Sequence, residues 1–535
     1  MLIDPTGVFE AHSSQNTASN RIVSVPSAMG LSLVYASAYF LPLTTATQVY
    51  LLTSLNLFRV VAIPSLVTVI VCFLLILGLS ATSRKWVAPR IALGCSVLAL
   101  SLFGVLALKG VAEAAGYHWQ DSIPRGRNLL ATQQMFKYGV SSIVLAIVWS
   151  QRRSLGRVTR LLTSLGFAFG VLAVIRLVAV SMGHGTALES SMGGLQPKIA
   201  PSQLASIPAA GGRTRRVVWV LFDETDFGRV FAPDVGSRIE LKNFDFLARA
   251  SVFATRANSP ASATLYSVPA LLTGVPLGGK GVRIDRQGRL ALERPDGSMV
   301  PFGEDTSIFG VLRSRGEQAS VLGFLHPYCK IFVLSRCESF IWPEVGTIGA
   351  AMTVNVPDGI ARRLRGSDYW ADITRDQLAQ LPSYISGDEA LTFVHLNVPH
   401  LPAAFADARL NLPPDPNPLT EYDRNLRLSD EILGQIIEGM RAQLDRHELL
   451  LIVSTDHWLR NRWYRANERE VSRPIPLIMW KVGDTQGIML TQPISTVQTS
   501  RMILDFLHGD ISDQNEVAAW WAHQPTFPSF MAPAT

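Results

Sequence analysis

The sequence is poor in cysteine and lacks a basic face of the kind that binds nucleic acid. Only 4 cysteines occur in 535 residues, and Cys72 and Cys95 lie inside apolar runs, where cysteine packs as a small hydrophobe. The formal net charge is +6, but Lys and Arg cluster in short loops between apolar runs and are not interleaved with aromatic residues. Residues 1–27 are polar, so we expect no cleavable signal peptide. These absences argue against nucleic-acid binding and favour a membrane protein with a large soluble domain.

Long apolar runs fill the first part of the chain. A membrane-spanning helix needs about 20 predominantly apolar residues, and five segments approach that length. The fourth is the weakest, because Gln133, Gln134 and Lys137 lie in its first half. The predicted spans are residues 28–48, 60–81, 91–110, 130–150 and 161–182.

Basic loops predict how these spans are oriented. Arg84, Lys85 and Arg90 lie between the second and third spans, and more arginines lie in residues 152–160, between the fourth and fifth. Loops rich in Lys and Arg stay in the cytoplasm, so five spans place everything after residue 182 outside. We therefore expect a multi-pass protein of the bacterial inner membrane. Its predicted parts are a transmembrane domain (1–182), a linker (183–214) and a periplasmic or extracellular domain (215–535).

In the second part of the chain, acidic and imidazole side chains follow apolar segments of strand type. Residues 422–445 carry apolar residues at helical spacing, so strand and helix alternate as in a parallel sheet. Ligands bind at the carboxyl ends of such strands, so we expect these side chains to meet. The segments are VVWVLF at 217–222, followed by Asp223 and Glu224; LTFVHL at 391–396, followed by His400; and LLLIV at 449–453, followed by Asp456 and His457.

The side chains after the first and last of these strands suit a metal ion. Asp223, Glu224, Asp456 and His457 offer oxygen and imidazole ligands without a thiolate, a set that zinc or manganese accepts. Taken singly, a carboxylate after a strand is more often a helix cap or a surface charge. The set as a whole predicts one divalent metal ion.

A threonine segment between these strands strengthens the metal interpretation. Residues 257–274 (ANSPASATLYSVPALLTG) place Thr264 after a loop of small residues. Pro269 suits the first turn of a helix, so we predict a short helix that begins at Ser267. Its positive end would face an anion beside Thr264.

The order and spacing of these segments resemble the alkaline-phosphatase superfamily. Within it, they resemble the membrane-anchored phosphoethanolamine transferases, the lipoteichoic acid synthases and their sulfatase-like relatives, over residues 216 to about 510. The resemblance implies a C-terminal alkaline-phosphatase-like or sulfatase-like α/β domain with a central, mostly parallel sheet, behind five membrane spans. The segments that carry it are VLFDET, NFDFLARASVFATRANSPASATLYSVPALLTG, SIFGVLRSRGEQASVLGFLH, FVHLNVPHLP, and YDRNLRLSDEILGQII followed by LLLIVSTDHW.

The resemblance also implies roles for the metal-site residues. Glu224, Thr264, Asp456 and His457 would hold the metal ion, and Thr264 would also be the nucleophile. Asp223 stands at a position where sulfatases have a second acidic ligand, so it binds the metal or braces the site.

Four further residues are candidates for the wider site. His400, in the PHxP element, resembles the histidine that contacts the transferred group. Arg473 offers charge to a phosphate, although a solvated basic loop is the more common meaning of such a residue. His326 and His395 are more often structural, although His326 follows a strand-like segment and can reach the pocket.

Cys329 and Cys337 lie close together in the second part of the chain. They can form a disulfide if that domain faces an oxidising compartment. Two free thiols are the alternative, because spacing alone does not determine geometry.

By resemblance, the expected reaction moves phosphoethanolamine or phosphoglycerol from a membrane phospholipid to a cell-envelope glycan or glycolipid, through an adduct on Thr264. The alternatives are a phosphoric ester hydrolase, in which water resolves the adduct, and a non-catalytic scaffold for envelope assembly. A formylglycine sulfatase is disfavoured, because Thr264 is not a Cys or Ser followed by x-Pro-x-Arg. Trp458 and Gln498 depart from the family pattern, and they leave the substrate open.

Overall fold

The computed structural model describes residue 50 and residues 214–231, 239–284, 289–341, 367–400, 418–460 and 471–531. The chain divides into two compact units, Met1–Thr45 with Ser54–Thr186 and Ala46–Thr53 with Ala187–Thr535. The described residues all belong to the second unit. The five predicted spans and the linker lie outside the described residues, and none of the helices described is long and apolar enough to cross a membrane.

The described residues form twelve strands in two sheets. The strands are β1 (Thr214–Phe222), β2 (Val252–Asn258), β3 (Val282–Ile284), β4 (Leu290–Glu293), β5 (Met299–Pro301), β6 (Ala319–Phe324), β7 (Arg336–Phe340), β8 (Leu391–Leu396), β9 (His447–Ser454), β10 (Ile475–Lys481), β11 (Ile488–Leu490) and β12 (Ile494–Ser495).

The larger sheet has nine strands in the order β11-β2-β10-β9-β1-β8-β6-β7, with β12 beside β2. Strand β10 runs antiparallel to both of its neighbours, and the other pairs are parallel. This confirms the predicted mostly parallel sheet. Strands β3, β4 and β5 form a small antiparallel sheet.

Helices cover both faces of the large sheet. They are α1 (Phe227–Val230), α2 (Lys242–Ala250), α3 (Thr264–Thr273), α4 (Ile308–Ser314), α5 (Tyr328–Ile331), α6 (Ser367–Ile385), α7 (Pro418–Arg441), α8 (Thr499–His508) and α9 (Gln514–Ala522). Alternate residues of β1 enter two separate cores. One core contains residues of α3 and α8, and the other contains residues of α2, α6 and α7. The domain is therefore a three-layer α/β/α structure.

The three apolar segments found in the sequence form neighbouring strands at the centre of the sheet. Strand β1 lies between β8 and β9, with Val217 opposite both Leu391 and Leu450. These strands are buried on both faces, which explains why their sequences are continuously apolar and not alternating. Since all three run in the same direction, their carboxyl ends lie side by side.

Helix α3 differs from the prediction in where it begins. The sequence predicts a start at Ser267, whereas the helix begins at Thr264 with Ala263 as its N-cap residue. The amides of Tyr266 and Ser267 both donate to the Ala263 carbonyl at 3.0 Å, which closes the first turn three residues early. Pro269 therefore lies inside the helix, and the prediction was wrong because Pro269 was assigned to the first turn.

Cys329 and Cys337 form a disulfide bond with a Cα–Cα distance of 5.6 Å. It connects α5 to β7. The amide of Cys329 also donates to the Ser339 hydroxyl at 3.1 Å, so the short loop is tied to β7 at two points.

Candidate active site

Six residues meet at the carboxyl ends of the central strands and the start of α3. Strand β1 leads directly to Asp223 and Glu224, β9 leads to Asp456 and His457, and His395 lies one residue before the end of β8. Thr264 is the first residue of α3 and is 8% exposed, whereas the other five are at most 1% exposed. The fold thus brings together the four metal-site residues that the sequence resemblance implies, with Asp223.

The turn after β1 has a strained backbone. Glu224 has a φ angle of 63°, in the left-handed region that side chains other than glycine rarely occupy. Its carbonyl accepts a hydrogen bond from the Tyr422 hydroxyl at 2.9 Å, and that hydroxyl also accepts from the Asp226 amide at 2.8 Å. Strain held in place by surrounding bonds is typical of functional sites. Here it lies at the residue whose amide donates to Asp456 Oδ1 at 3.1 Å.

His457 presents a lone pair to the nucleophile and to the carboxylates. Its Nδ1 lies 2.9 Å from the Trp458 carbonyl, which can only accept, so Nδ1 carries the proton. In the neutral ring Nε2 is then unprotonated. It lies 3.4 Å from Thr264 Oγ1, 3.4 Å from Asp456 Oδ2 and 3.9 Å from Asp223 Oδ1. A backbone carbonyl that fixes the ring tautomer in this way is common for metal-binding histidines.

Several buried atoms of the cluster have no hydrogen-bond partner among the described residues. They are Asp223 Oδ1, Asp456 Oδ2 and His395 Nε2. Ligand atoms of these three residues lie within 4.8 Å of one another. Buried polar atoms are nearly always hydrogen-bonded, so three such atoms converging on one point fit a divalent cation, and the oxygen and imidazole donors suit zinc or manganese.

His395 is a site residue that the sequence analysis considered structural. Its only sequence signal is a polar residue in the otherwise apolar segment LTFVHL, which costs free energy unless the imidazole has partners. The Tyr328 hydroxyl lies 3.2 Å from His395 Nδ1. The second nitrogen therefore points to the carboxylates.

The neighbouring groups shift the pKa values of Asp223 and Asp456 in opposite directions. Burial, together with the nearby carboxylates of Asp456 and Glu224, raises the pKa of Asp223 well above its usual value. Burial also acts to raise the pKa of Asp456, but His457 and His395 outweigh it and the net pKa is lowered. Two such close carboxylates are unfavourable together in ionised form. A bound cation would remove this repulsion.

The carboxylate of Glu224 has a different environment. Its Oε1 accepts from Arg460 Nε at 2.9 Å and from the Arg460 amide at 3.3 Å. Its Oε2 lies 3.3 Å from His400 Nε2, and Arg460 Nη2 lies 3.2 Å from the same nitrogen. The His400 ring stacks on Trp370 at 5.0 Å between centroids. Arg460 is thus part of the site, and ligation of a metal ion by Glu224 stays a prediction.

His400 can use its Nε2 in two ways. When this nitrogen is unprotonated it can accept from Arg460, and when it is protonated it can donate to Glu224. Its side chain is 14% exposed, so it borders the open side of the site. This arrangement suits a group that gains and loses a proton.

The two remaining candidates lie at the margin of the site. Arg473 Nη1 is 3.8 Å from Asp226 Oδ2, just beyond the strained turn. His326 is fully buried behind Thr264, with Nε2 at 3.1 Å from the Thr264 carbonyl and Nδ1 at 2.7 Å from the Tyr50 hydroxyl. Substrate binding by His326 would require one of these bonds to break. Substrate binding by Arg473 and by His326 stays a prediction.

No protein-family model and no curated protein sequence matches this chain. Solved structures do show a likeness. PsFucS1 sulfatase from Pseudoalteromonas sp. is 16% identical with a TM-score of 0.38, over 56% of this chain and 68% of that chain. A protein in the alkaline phosphatase superfamily from Vibrio parahaemolyticus is 14% identical with a TM-score of 0.36, over 58% and 71%.

The C-terminal periplasmic domain of EcEptC from Escherichia coli, in complex with Zn, is 13% identical with a TM-score of 0.36, over 58% of this chain and 88% of that chain. One of these likenesses is thus to a protein in the alkaline phosphatase superfamily, the superfamily that the motifs of this sequence resemble.

Proposed function

We propose that this protein uses a divalent metal ion to transfer a phospho-substituent, phosphoethanolamine or phosphoglycerol, from a membrane phospholipid to a cell-envelope glycan or glycolipid. The observation that carries the proposal is the position of Thr264. Its hydroxyl lies at the start of a ten-residue helix, 3.4 Å from His457 Nε2. Asp223 Oδ1 and Asp456 Oδ2, which have no hydrogen-bond partner among the described residues, lie 3.9 Å and 3.4 Å from the same nitrogen.

A threonine hydroxyl needs activation to act as a nucleophile at neutral pH. Asp223, Asp456, His395 and His457 would hold the cation, with Glu224 as a further candidate. The bound cation would favour the ionised hydroxyl and would neutralise charge on the phosphoryl oxygens. The amide groups at the start of α3 add positive potential next to Thr264.

The reaction has two displacement steps at phosphorus. First, Thr264 Oγ1 forms a bond to phosphorus and gives its proton to a base of the site. The bond from phosphorus to the diacylglycerol oxygen breaks, and that oxygen takes a proton from His400. Then the acceptor hydroxyl attacks the adduct and returns a proton to His400, while Thr264 regains its own.

The compartment is part of the proposal. The basic loops predict that the domain faces outward, and a disulfide between Cys329 and Cys337 is stable in an oxidising compartment. An anchor in the membrane would keep the site beside its lipid donor. A reporter enzyme that is active only outside the cytoplasm should be active when it is fused after residue 215. An inactive reporter at that position would contradict this topology.

The test uses the purified full chain and a phospholipid with a labelled head group, without acceptor. We expect label on Thr264 and release of about one diacylglycerol per enzyme, because water should resolve the adduct slowly when no second metal activates it. Thr264→Ala should release none. Thr273→Ala, at the far end of the same helix with its hydroxyl bonded to the Pro269 carbonyl, should behave as the unchanged protein.

Other outcomes distinguish the alternatives. Rapid multiple turnover with free phosphorylated head group as product would show a hydrolase. No label and no diacylglycerol from metal-loaded protein would contradict enzymatic use of a phospholipid and favour the scaffold.

A further inference from the structure

Tyr50 lies in the same compact unit as the C-terminal domain, far from it in sequence. Its side chain is 2% exposed, and its hydroxyl lies 2.7 Å from His326 Nδ1. The two rings meet edge to face, with centroids 5.8 Å apart. In the sequence, Tyr50 follows directly after the first predicted span, in the loop expected on the outer side of the membrane.

The direction of the hydrogen bonds around His326 follows from its other contact. His326 Nε2 lies 3.1 Å from the Thr264 carbonyl, which can only accept, so Nε2 carries a proton. His326 is fully buried, and burial disfavours the charged form of an imidazole, so the ring is neutral. Nδ1 is then an acceptor, and the Tyr50 hydroxyl donates to it. Tyr50 thus donates a hydrogen bond to His326, and His326 donates one to the backbone carbonyl of the nucleophile Thr264.

The surroundings of His326 leave the ring little freedom. Phe302 and Tyr328 pack edge to face against it, with centroids 5.9 Å and 5.8 Å away. The preceding residue, Leu325, has a φ angle of 68° in the left-handed region. A strained backbone and packed aromatic rings hold the imidazole in place, but neither offers Nδ1 a hydrogen bond. Among the described residues, the Tyr50 hydroxyl is the group bonded to Nδ1.

We propose that Tyr50 is a positioning residue for the nucleophile. By donating to His326 Nδ1, it holds the ring in the orientation in which Nε2 bonds the Thr264 carbonyl, and so holds the first residue of α3 at the site. Without the hydroxyl, Nδ1 would lose this partner in a buried position, and the ring could turn away from the Thr264 carbonyl. Tyr50, which follows the first predicted span in the sequence, is then a residue of the active site. The catalytic readout of this proposal rests on the proposed function.

The test compares Tyr50→Phe with the unchanged full chain, each metal-loaded, in detergent with the labelled phospholipid. Losing one buried hydrogen bond should lower the rate of Thr264 labelling about tenfold, with KM for the lipid and the melting temperature nearly unchanged. Hydrogen exchange of peptides from residues 259–273 should become faster. Tyr384→Phe is the matched control, because Tyr384 is buried and its hydroxyl has no hydrogen-bond partner among the described residues.

A double-mutant cycle tests whether Tyr50 acts through His326. In a His326→Leu background, Tyr50→Phe should have no further effect on the labelling rate. An equal tenfold loss in that background would overturn the proposal, as would Tyr50→Phe with unchanged labelling and unchanged exchange. If the unchanged protein labels no lipid but Tyr50→Phe still loosens residues 259–273, the positioning role stands and the proposed function fails.

Discussion

Buried charged side chains lie at both ends of strand β1. The two ends differ in how completely these side chains are hydrogen-bonded. At the amino end, all five N–H groups of the Arg216 guanidinium donate, to the carbonyls of Glu389, Ile385 and Tyr384 and to the side chains of Gln443 and Thr392. At the carboxyl end, Asp223 Oδ1 and Asp456 Oδ2 are equally buried without a partner among the described residues. A satisfied buried charge supports the fold, whereas unsatisfied charges on one point indicate a ligand site. Counting charged residues alone would not distinguish the hydrogen-bonded Arg216 from the ligand site at the other end of β1.

The largest expected effect is at the unsatisfied end. Asp456→Asn keeps an oxygen that can accept from the Glu224 amide but replaces the second carboxylate oxygen. We expect loss of bound metal and a fall in the labelling rate of about 10³-fold. The stability of the metal-free protein at neutral pH should also fall, because the lowered pKa of Asp456 means that the folded protein favours its ionised form. Elemental analysis and thermal unfolding measure both, with exposed Asp445→Asn as control. Full metal occupancy in Asp456→Asn would show that Asp456 is not needed to bind the metal ion.

Arg216→Leu tests the satisfied end. Five acceptors would lose their donor inside the domain, so the free energy of unfolding should drop by about 3 kcal/mol or more. Metal content per folded molecule should stay the same, because Arg216 lies at the opposite end of β1. Thermal unfolding of the full chain in detergent measures the effect, and Arg249→Leu on the exposed side of α2 is the control. Equal stability of the two variants would mean that this network contributes nothing.

The two ends of β1 are also expected to differ in how their side chains make stability depend on pH. Burial lowers the pKa of His326 to about 3 and of His395 to about 4. Below the unfolded value of about 6.5 the unfolded chain binds protons that the folded chain does not, so stability falls as pH falls from 6.5 toward 4. At pH 5 each histidine accounts for about 2 kcal/mol of this loss.

Arg216 has no part in that pH window, because burial lowers its pKa only to about 10. His326→Gln should therefore flatten the pH profile of the metal-free protein, measured as melting temperature from pH 7 to 5, whereas Arg216→Leu should shift it without changing its slope. An unchanged slope in His326→Gln would contradict a neutral, buried His326.

The smallest effect is expected at the surface near the amino end of the sheet. Arg446 and Asp388 form an exposed pair at 3.1 Å. Exposed pairs typically contribute less than about 1 kcal/mol and weaken with salt. Arg446→Ala should therefore change the melting temperature only slightly, and less so at high salt. An effect as large as that of Arg216→Leu would show that charge pairing, and not complete hydrogen bonding, stabilises this edge.

Much of the site could be predicted because it depends on local pattern. Continuous apolar segments indicate buried parallel strands, and residues after such strands lie at one edge of the sheet, so Asp223, Asp456 and His457 could be placed together in advance. His395 could not, because its direction depends on the register of β8 against β1. Arg460 could not be distinguished from the other arginines in its loop. The start of α3 was misplaced because the Ala263 carbonyl, which closes the first turn, has no sequence signal.

The sequence by itself determined that this domain has a parallel α/β sheet and that acidic and imidazole groups gather at its carboxyl edge, because periodicity and strand direction are local properties. The tertiary structure alone decided which groups are satisfied and which are not. Arg216 meets five acceptors, which lie on α6, on β8 and in the segments that follow α6 and α7. Tyr50 reaches the nucleophile through His326 across 276 positions of the chain. Such partners are chosen by packing in three dimensions, and hydrogen bonding in a dry interior depends on position to within a fraction of an ångström.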